Sequence, residues 1–325
     1  MILKLLTHIS RVLVGLLFIY SGFVKLVDPI GSQYKFQEYF GADVLNLEFL
    51  IPYALPFSVF LILAEIMLGV FLLVGYLPKI TVWSLLGMIL IFLFLTWYSA
   101  YYNKVTDCGC FGDAVKLSPW ETFYKNVFLI LLIILLVVKY EHIKPFPSLN
   151  LAKWVSFLSF TAFLYIGYYV LIHLPIIDFR PYAVGKNIKE GMQFVGTELP
   201  PVHDFFLETN DGNDLTEEVL SADNIMLIVA YNLSKSEKSG LSKLKDLTDK
   251  AIENGFEVYA LSASMNEEFL EIKNEHNLNF EMLFCDETTL KTIIRANPGI
   301  VTLHKGTVTG KWSWTDADEV QLILK

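Results

Sequence analysis

The chain has 325 residues, 54% of them hydrophobic and only 18% charged, with a formal net charge of −9. A soluble domain carries fewer apolar and more charged residues, and no basic stripe is present to neutralise phosphates, which excludes nucleic acid as a partner. Three cysteines are too few for a disulfide scaffold. The apolar excess is concentrated before Ile177, and Lys, Asp and Glu recur throughout the remainder, so two regions are predicted for two solvents.

The N-terminus "MILKLLTHISRVLVGLLFIYSGFVKLVDP" has a basic start and an apolar run but no small-residue cleavage site before Lys25. It is therefore expected to be a retained helix, not a signal peptide. Crossing about 30 Å of hydrocarbon takes about 20 helical residues. Five stretches meet that length: Leu5–Val27, Pro56–Tyr76, Ile80–Ala100, Trp120–Tyr140 and Trp154–Ile177. Arg11 and Lys25 fall near the ends of the first, where long side chains can snorkel. Pro52 and Pro56 suit the start of the second, and "GYLPK" closes a hairpin onto the third. Trp97, Trp120 and Trp154 lie near span ends, as an aromatic belt does.

Glu65 falls near the middle of the second span, in "LILAEIMLGV". A carboxylate there must face the bundle and find a partner, or be protonated. By residue count Lys25 and Lys125 lie nearer the outer surface than Glu65, which leaves its partner open. It is either a packing hydrogen bond between helices or a proton-handling, quinone-contacting group.

Between the third and fourth spans, "TDCGCFGD" holds Cys108 and Cys110, separated by Gly109. A disulfide between them closes a small, strained ring, and strained exposed disulfides are the labile kind. So short a loop offers little entropic stabilisation. A redox-active pair and a structural pair both remain open. A metal site is disfavoured, because the loop has no histidine and Asp107 and Asp113 are a weak ligand set.

Lys and Arg set the orientation. With the N-terminus inside, the inner segments hold Lys4, Arg11, Lys79, Lys139, Lys144 and Lys153, and the outer loops hold Lys35, Lys104 and Lys116. Five spans then place both the cysteine loop and the C-terminal region on the oxidising, periplasmic face of a bacterial inner membrane, where disulfides persist.

From Glu190 onward strands and helices alternate. "PPVHDFFLETNDGNDLT" predicts two short strands around a turn at Asn210–Asn213. "NIMLIVAYN" is a buried strand, and "SEKSGLSKLKDLTDKAIENG" is a helix with Leu241, Leu244, Leu247 and Ala251 on one face, stopped by Gly255. "FEVYALSAS" is a strand, "NEEFLEIKNEHN" a helix, "FEMLFC" a strand and "ETTLKTIIRA" a short helix. "GIVTLHKGTVTGKWSW" is a hairpin turning at Lys305-Gly306, and a final helix starts at Thr315. This order predicts an α/β sheet.

Two resemblances sharpen these expectations. "RVLVGLLFIYSGFVKLVDP" and "AEIMLGVFLLVG" resemble the first two helices of the DoxX family, and "CGCFGD" followed by "WETFYKNVFLIL" resembles its MauE branch. That resemblance implies a four-helix membrane bundle over residues 1–142 and a link to periplasmic redox, with lipid around it and quinone as a possible cofactor. Residues 143–189 then form a fifth membrane helix and connector. Residues 190–325 resemble a thioredoxin-like domain of the membrane-anchored or peroxiredoxin sort. There Pro298, in "ANPGIVTLHKG", stands where such domains open a strand with a cis-proline; the alternative is an ordinary loop proline. The two active-site cysteine positions fall on Ser236 and Ser239, whose hydroxyls cannot perform thiol–disulfide exchange. A helix N-terminus with two hydroxyls could bind an anion or an extended peptide; the plainer reading is that Ser236 caps the helix, with Ser239 in its first turn. Cys285 is expected to be buried and inert.

The whole predicts an α-helical membrane bundle followed by a thioredoxin-like α/β domain. Functionally, Cys108 and Cys110 would cycle between dithiol and disulfide, Glu65 would handle the proton, and Ser236, Ser239 and Pro298 would belong to a surface holding a periplasmic thiol-containing client. The alternative is a non-catalytic membrane scaffold of an envelope complex.

Overall fold

The computed structural model describes residues 2–105, 109–115, 117–194, 196, 199–264 and 266–322. The chain forms two compact units, Met1–Leu171 and Ile172–Lys325.

The first unit is helical: α1 (Ile2–Val27), α2 (Pro29–Phe40), α3 (Ala54–Val74), α4 (Pro78–Tyr102), α5 (Pro119–Val138) and α6 (Leu149–Ile172). Five of these helices are long and apolar enough to cross a membrane; α2 is not among them. Local chemistry sets the helix ends. Asp28 caps α2 by accepting from Gly31 N–H, with Pro29 in the first turn. Ser118 and Glu121 form a reciprocal capping box at the start of α5. Arg11 is buried in α1 and closes the C-terminal end of α3: its Nε donates to Leu72 O at 2.8 Å and its Nη2 to Leu73 O at 2.7 Å. These carbonyls lie in the last turn of α3, where Leu72 O also accepts from Gly75 N–H at 3.3 Å.

α1 and α3 cross very closely. A Cβ on Gly22 would lie 2.8 Å from Ile66 Cβ, and one on Gly69 would lie 2.8 Å from Gly15 O. Small residues let the two backbones touch, the usual route to helix association where no hydrophobic driving force separates protein from lipid. Around this crossing, Val14, Leu72, Leu85, Ile133 and Leu136 are fully buried.

The second unit contains α7 (Ile188–Gly191), α8 (Thr216–Ser221), β1 (Ile225–Val229), α9 (Lys238–Glu253), β2 (Glu257–Ser262), α10 (Asn266–His276), β3 (Glu281–Phe284), α11 (Glu287–Ile293), β4 (Gly299–His304) and β5 (Thr307–Ser313). The sheet order is β3-β2-β1-β4-β5. β1 runs parallel to β2 and antiparallel to β4, and β4 and β5 form the expected hairpin. Every residue of β1 is buried because both sheet faces are covered. Its side chains alternate between two cores: Ile225, Leu227 and Val229 on one face, Met226 and Ile228 on the other. Asp178, in the connector that follows α6, accepts from Arg180 Nε at 2.7 Å and from Lys311 Nζ of β5 at 2.6 Å. Burial opposes its charge, yet these two cations outweigh burial and hold the Asp178 carboxyl below its ordinary range.

The structure corrects several expectations. The fifth span is Leu149–Ile172, about one turn earlier than Trp154–Ile177, because Ser148 Oγ accepts from Leu151 N–H and starts the helix there. The segment between the first two spans is not a plain loop: it contains α2 and a 3₁₀ turn at Glu48–Tyr53. The two strands expected around Asn210–Asn213 reduce to single bridges from Glu208 to Asp214 and to Phe284, although the turn is present. The final helix is a 3₁₀ segment, Trp314–Glu319. Cys285 is fully buried just after β3, and burial pushes its thiol up to about 12.

Two outcomes are expected. Replacing Gly69 by valine should destabilise the detergent-solubilised protein by about 1–3 kcal/mol through overpacking. Gly87→Ala, where an added Cβ meets nothing within 4 Å, should be neutral or slightly stabilising; thermal unfolding of the two variants compares them. Cys285 should resist iodoacetamide at pH 8 in the folded protein and react fully in denaturant, since only the thiolate attacks. Mass spectrometry of the alkylated peptide reads this out.

Candidate functional site

The principal site lies inside the helical unit. Lys25, in the last turn of α1, donates to Glu65 Oε2 near the middle of α3. Both side chains are buried, at 9% and 4% exposed. Residue count places Lys25 nearer the outer surface than Glu65 and leaves this pairing open. The chain makes the pair because α1 ends below the outer edge of the bundle: Val24, Leu26 and Val27 are buried along with Lys25. The touching of Gly22 and Ile66 then sets Lys25 beside the turn that carries Glu65, and the long lysine stem spans what remains. Lys25 Nζ also lies 5.2 Å from the centroid of the Phe92 ring, a cation–π distance.

The cysteine loop is drawn into the same place. Ser21 Oγ donates to Cys110 O at 2.7 Å. Phe111 is buried, with its ring 4.3 Å from Lys125 Nζ and 5.7 Å from the Tyr20 ring. Gly109 has φ +66°, and a Cβ there would lie 3.1 Å from the Lys35 stem. The left-handed backbone there favours glycine, and a side chain would also have to push the Lys35 stem aside. Cys108 lies outside the described residues.

Two cavities meet at this point. The larger, about 50 Å³, is lined by Lys25, Glu65, Lys35, Tyr39, Phe92 and Cys110 among others. The smaller, about 20 Å³, shares Lys25, Glu65, Phe92 and Cys110, and adds Lys125 and Asn126. Two further polar contacts border them: Tyr39 Oη to Ser99 Oγ at 3.1 Å, and Asn126 Nδ2 donating to Thr96 Oγ1 at 3.3 Å. Of the candidate residues read from the sequence, Cys110 and Glu65 thus line the same space. Tyr39 and Asn126 do not emerge from the sequence as site residues, and Lys25 and Lys125 emerge only as candidate partners of Glu65. Polar residues recurring in apolar spans were the available signal, but their convergence depends on the helix register.

The second unit brings together the other predicted residues. Asn297-Pro298 is a cis peptide, as expected, and it precedes β4. Ser236 Oγ lies 3.0 Å from both Asn232 O and Asn297 Oδ1, and Asn297 Nδ2 donates to Asn232 O at 2.9 Å. Glu237 N–H donates to Asn297 O at 3.2 Å. Ser236 therefore does not cap α9: Glu237 occupies the cap position, with no side-chain cap bond, and Ser236 ends the preceding 3₁₀ turn. Its hydroxyl ties the helix start to the residue before Pro298. The side chain of Ser239 lies outside the description. Among the described residues no group of three or more His, Cys, Asp or Glu could hold a metal ion.

Residues 3–139 match the family model described as methylamine utilisation protein MauE. No curated protein matches the chain. Among solved structures, a thioredoxin-like protein from Bacteroides caccae ATCC 43185, determined at 1.90 Å, is similar at 12% identity with a TM-score of 0.28, the alignment covering 88% of this chain and 90% of that one. The α/β fold of the second unit rests on its sheet order and hairpin, not on that distant likeness. By its sequence match, the membrane region from α1 to α5 is MauE-like, and in this chain a further helix joins it to an α/β domain.

Proposed function

We propose that the protein is a membrane-embedded redox accessory protein that faces the periplasm of a bacterial inner membrane. The observation that carries this reading is the position of Cys110, which shares two bundle cavities with the buried Lys25–Glu65 pair. A thiol held beside a buried acid–base pair is placed to exchange protons as well as electrons. In the proposed cycle, a client dithiol reduces the Cys108–Cys110 disulfide by exchange through a mixed disulfide, and the client leaves oxidised. The resulting Cys108–Cys110 dithiol then passes two electrons and two protons to a quinone, giving back the disulfide and a hydroquinone. Glu65 takes part in that proton movement.

The α/β domain serves as the client- or partner-holding module. With serine at the position of the reactive cysteine, and its hydroxyl committed to Asn232 and Asn297, the domain is left with the thiol of Cys285, which is buried away from exchange. The surface around Ser236, Ser239 and Pro298 then contributes recognition only. The same observation favours a second reading, in which the chain is a non-catalytic scaffold that docks an envelope complex. The state of the cysteine pair separates the two.

In a redox titration of the purified full chain with Cys285→Ala, labelling of free thiols should follow one reversible transition as the potential is varied. Full labelling of Cys108 and Cys110 under mild oxidant shows that no bond forms and removes the redox reading. A bond that survives millimolar reductant makes the pair a staple and favours the scaffold.

The topology is expected to be N-terminus inside and C-terminus outside. Alkaline phosphatase fused after the last residue should be active, and a reporter that fluoresces only in the cytoplasm should stay dark. The opposite pattern would separate the α/β domain from the face proposed for it.

A further inference from the structure

We infer that the connector between α6 and α7 carries a phosphate-binding site, in which Arg180 and Lys311 of β5 take the phosphate of an anionic lipid headgroup. The site uses no thiol and stands whether or not the cysteine pair cycles. Its first sign is an orphan donor. Arg180 is buried, at 3% exposed, yet its Nη1 has no hydrogen-bond partner among the described residues. A buried polar group normally finds one, and a charged donor left unpaired is costly. The guanidinium is a planar fork. Asp178 accepts from Nε on one edge, and Nη1 lies on the other side, where a second anion is kept apart from the first.

The charges point the same way. Arg180 and Lys311 share one carboxylate, Asp178, so the trio holds one positive charge more than it pairs. Arg295, whose Nη1 donates to Lys291 O, adds to the field at Lys311. Burial and the two arginines bring the Lys311 ammonium down to about 7, which Asp178 only partly offsets. A singly charged oxyanion restores the balance. A phosphodiester is one, and its bonds to arginine are among the strong charge-assisted kind. Asp178, at 17% the most exposed of the three side chains, marks the side of entry. The neighbours of the site indicate the source. Ile176, Ile177 and Phe179 are exposed, and they follow closely on α6, which is long and apolar enough to cross a membrane. Apolar side chains beside cations at the end of such a helix suit the headgroup layer, where anionic lipid phosphates are at hand. The site is separate from the surface around Ser236. Lys311 stands opposite Val301 in the hairpin, on the sheet face that Val301 packs into, whereas Leu241 and Leu244 of α9 cover the other face.

The test is native mass spectrometry of the full chain in a neutral detergent, titrated with phosphatidylglycerol at constant ionic strength. One lipid is expected to stay bound after the others leave. Its affinity should fall about tenfold in Arg180→Gln and in Lys311→Met, the worth of a hydrogen bond to a charged group. Each variant leaves Asp178 one of its two cations. Arg180→Lys, which keeps the charge but loses the planar fork, serves if Arg180→Gln does not elute as a monodisperse species, and should lose as much. Lys153→Gln, at an exposed lysine of α6, should change nothing. An excess of inorganic phosphate should displace the held lipid, and acetate at the same concentration should not. Equal retention in all variants, a like loss in Lys153→Gln, or neither a held lipid nor any effect of phosphate overturns the site and leaves water as the partner of Nη1. Displacement by acetate alone makes the ligand a carboxylate and overturns the assignment. Thermal stabilisation by inorganic phosphate that Arg180→Gln abolishes, with no lipid held, overturns the lipid source and keeps the phosphate site.

Discussion

The ion pair between Lys25 and Glu65 is the constraint around which the membrane unit is organised. A single charge in hydrocarbon is costly, and removing one partner of a buried pair strands the other at a cost of about 3–5 kcal/mol. The two residues therefore have to meet, and the helices that carry them have little freedom in register. The touching backbones at Gly22 and Ile66, and at Gly69 and Gly15, provide that register. Arg11 fixes the other end of the same crossing by closing α3. Two buried cations on α1 thus grip α3 at two heights, one through a carboxylate and one through carbonyls.

The cysteine loop gains its position from this arrangement. Ser21 and Phe111 pull Cys110 inward, where it meets the pair. A loop that served only as a connector would have no need to bury an aromatic ring or to spend a helix serine on its backbone. Replacing a buried ion pair by apolar residues is often neutral or stabilising, so stability alone is weak reason for keeping Lys25 and Glu65. Both residues line the two cavities that Cys110 also lines.

Much of the fold was legible in the sequence, and the reasons differ by region. Spans show because length and hydropathy are local properties. The hairpin at Lys305-Gly306 and the buried β1 show because turn residues and apolar runs are local too. What failed was local chemistry in competition with context. Ser236 follows the pattern of a helix cap, yet Asn232 and Asn297 claim its hydroxyl. The strands around Asn210 have the right alternation, yet their pairing stops at isolated bridges from Glu208 and a few turn hydrogen bonds. The Lys25–Glu65 contact stays open in the sequence because residue count measures depth only when a helix ends at the membrane surface, whereas Val24 to Val27 at the end of α1 are buried.

The two units show opposite fates for a reactive position. In the α/β domain Ser236 is locked to the residue before Pro298, so the start of α9 is held together internally. In the membrane unit a thiol lies beside an acid–base pair and two cavities in an apolar surround. Electrons moving from thiols to an apolar acceptor must be accompanied by protons, because charge cannot be left behind in a low-dielectric interior. The α/β domain has a surface without a thiol, and the bundle has a thiol with a proton store.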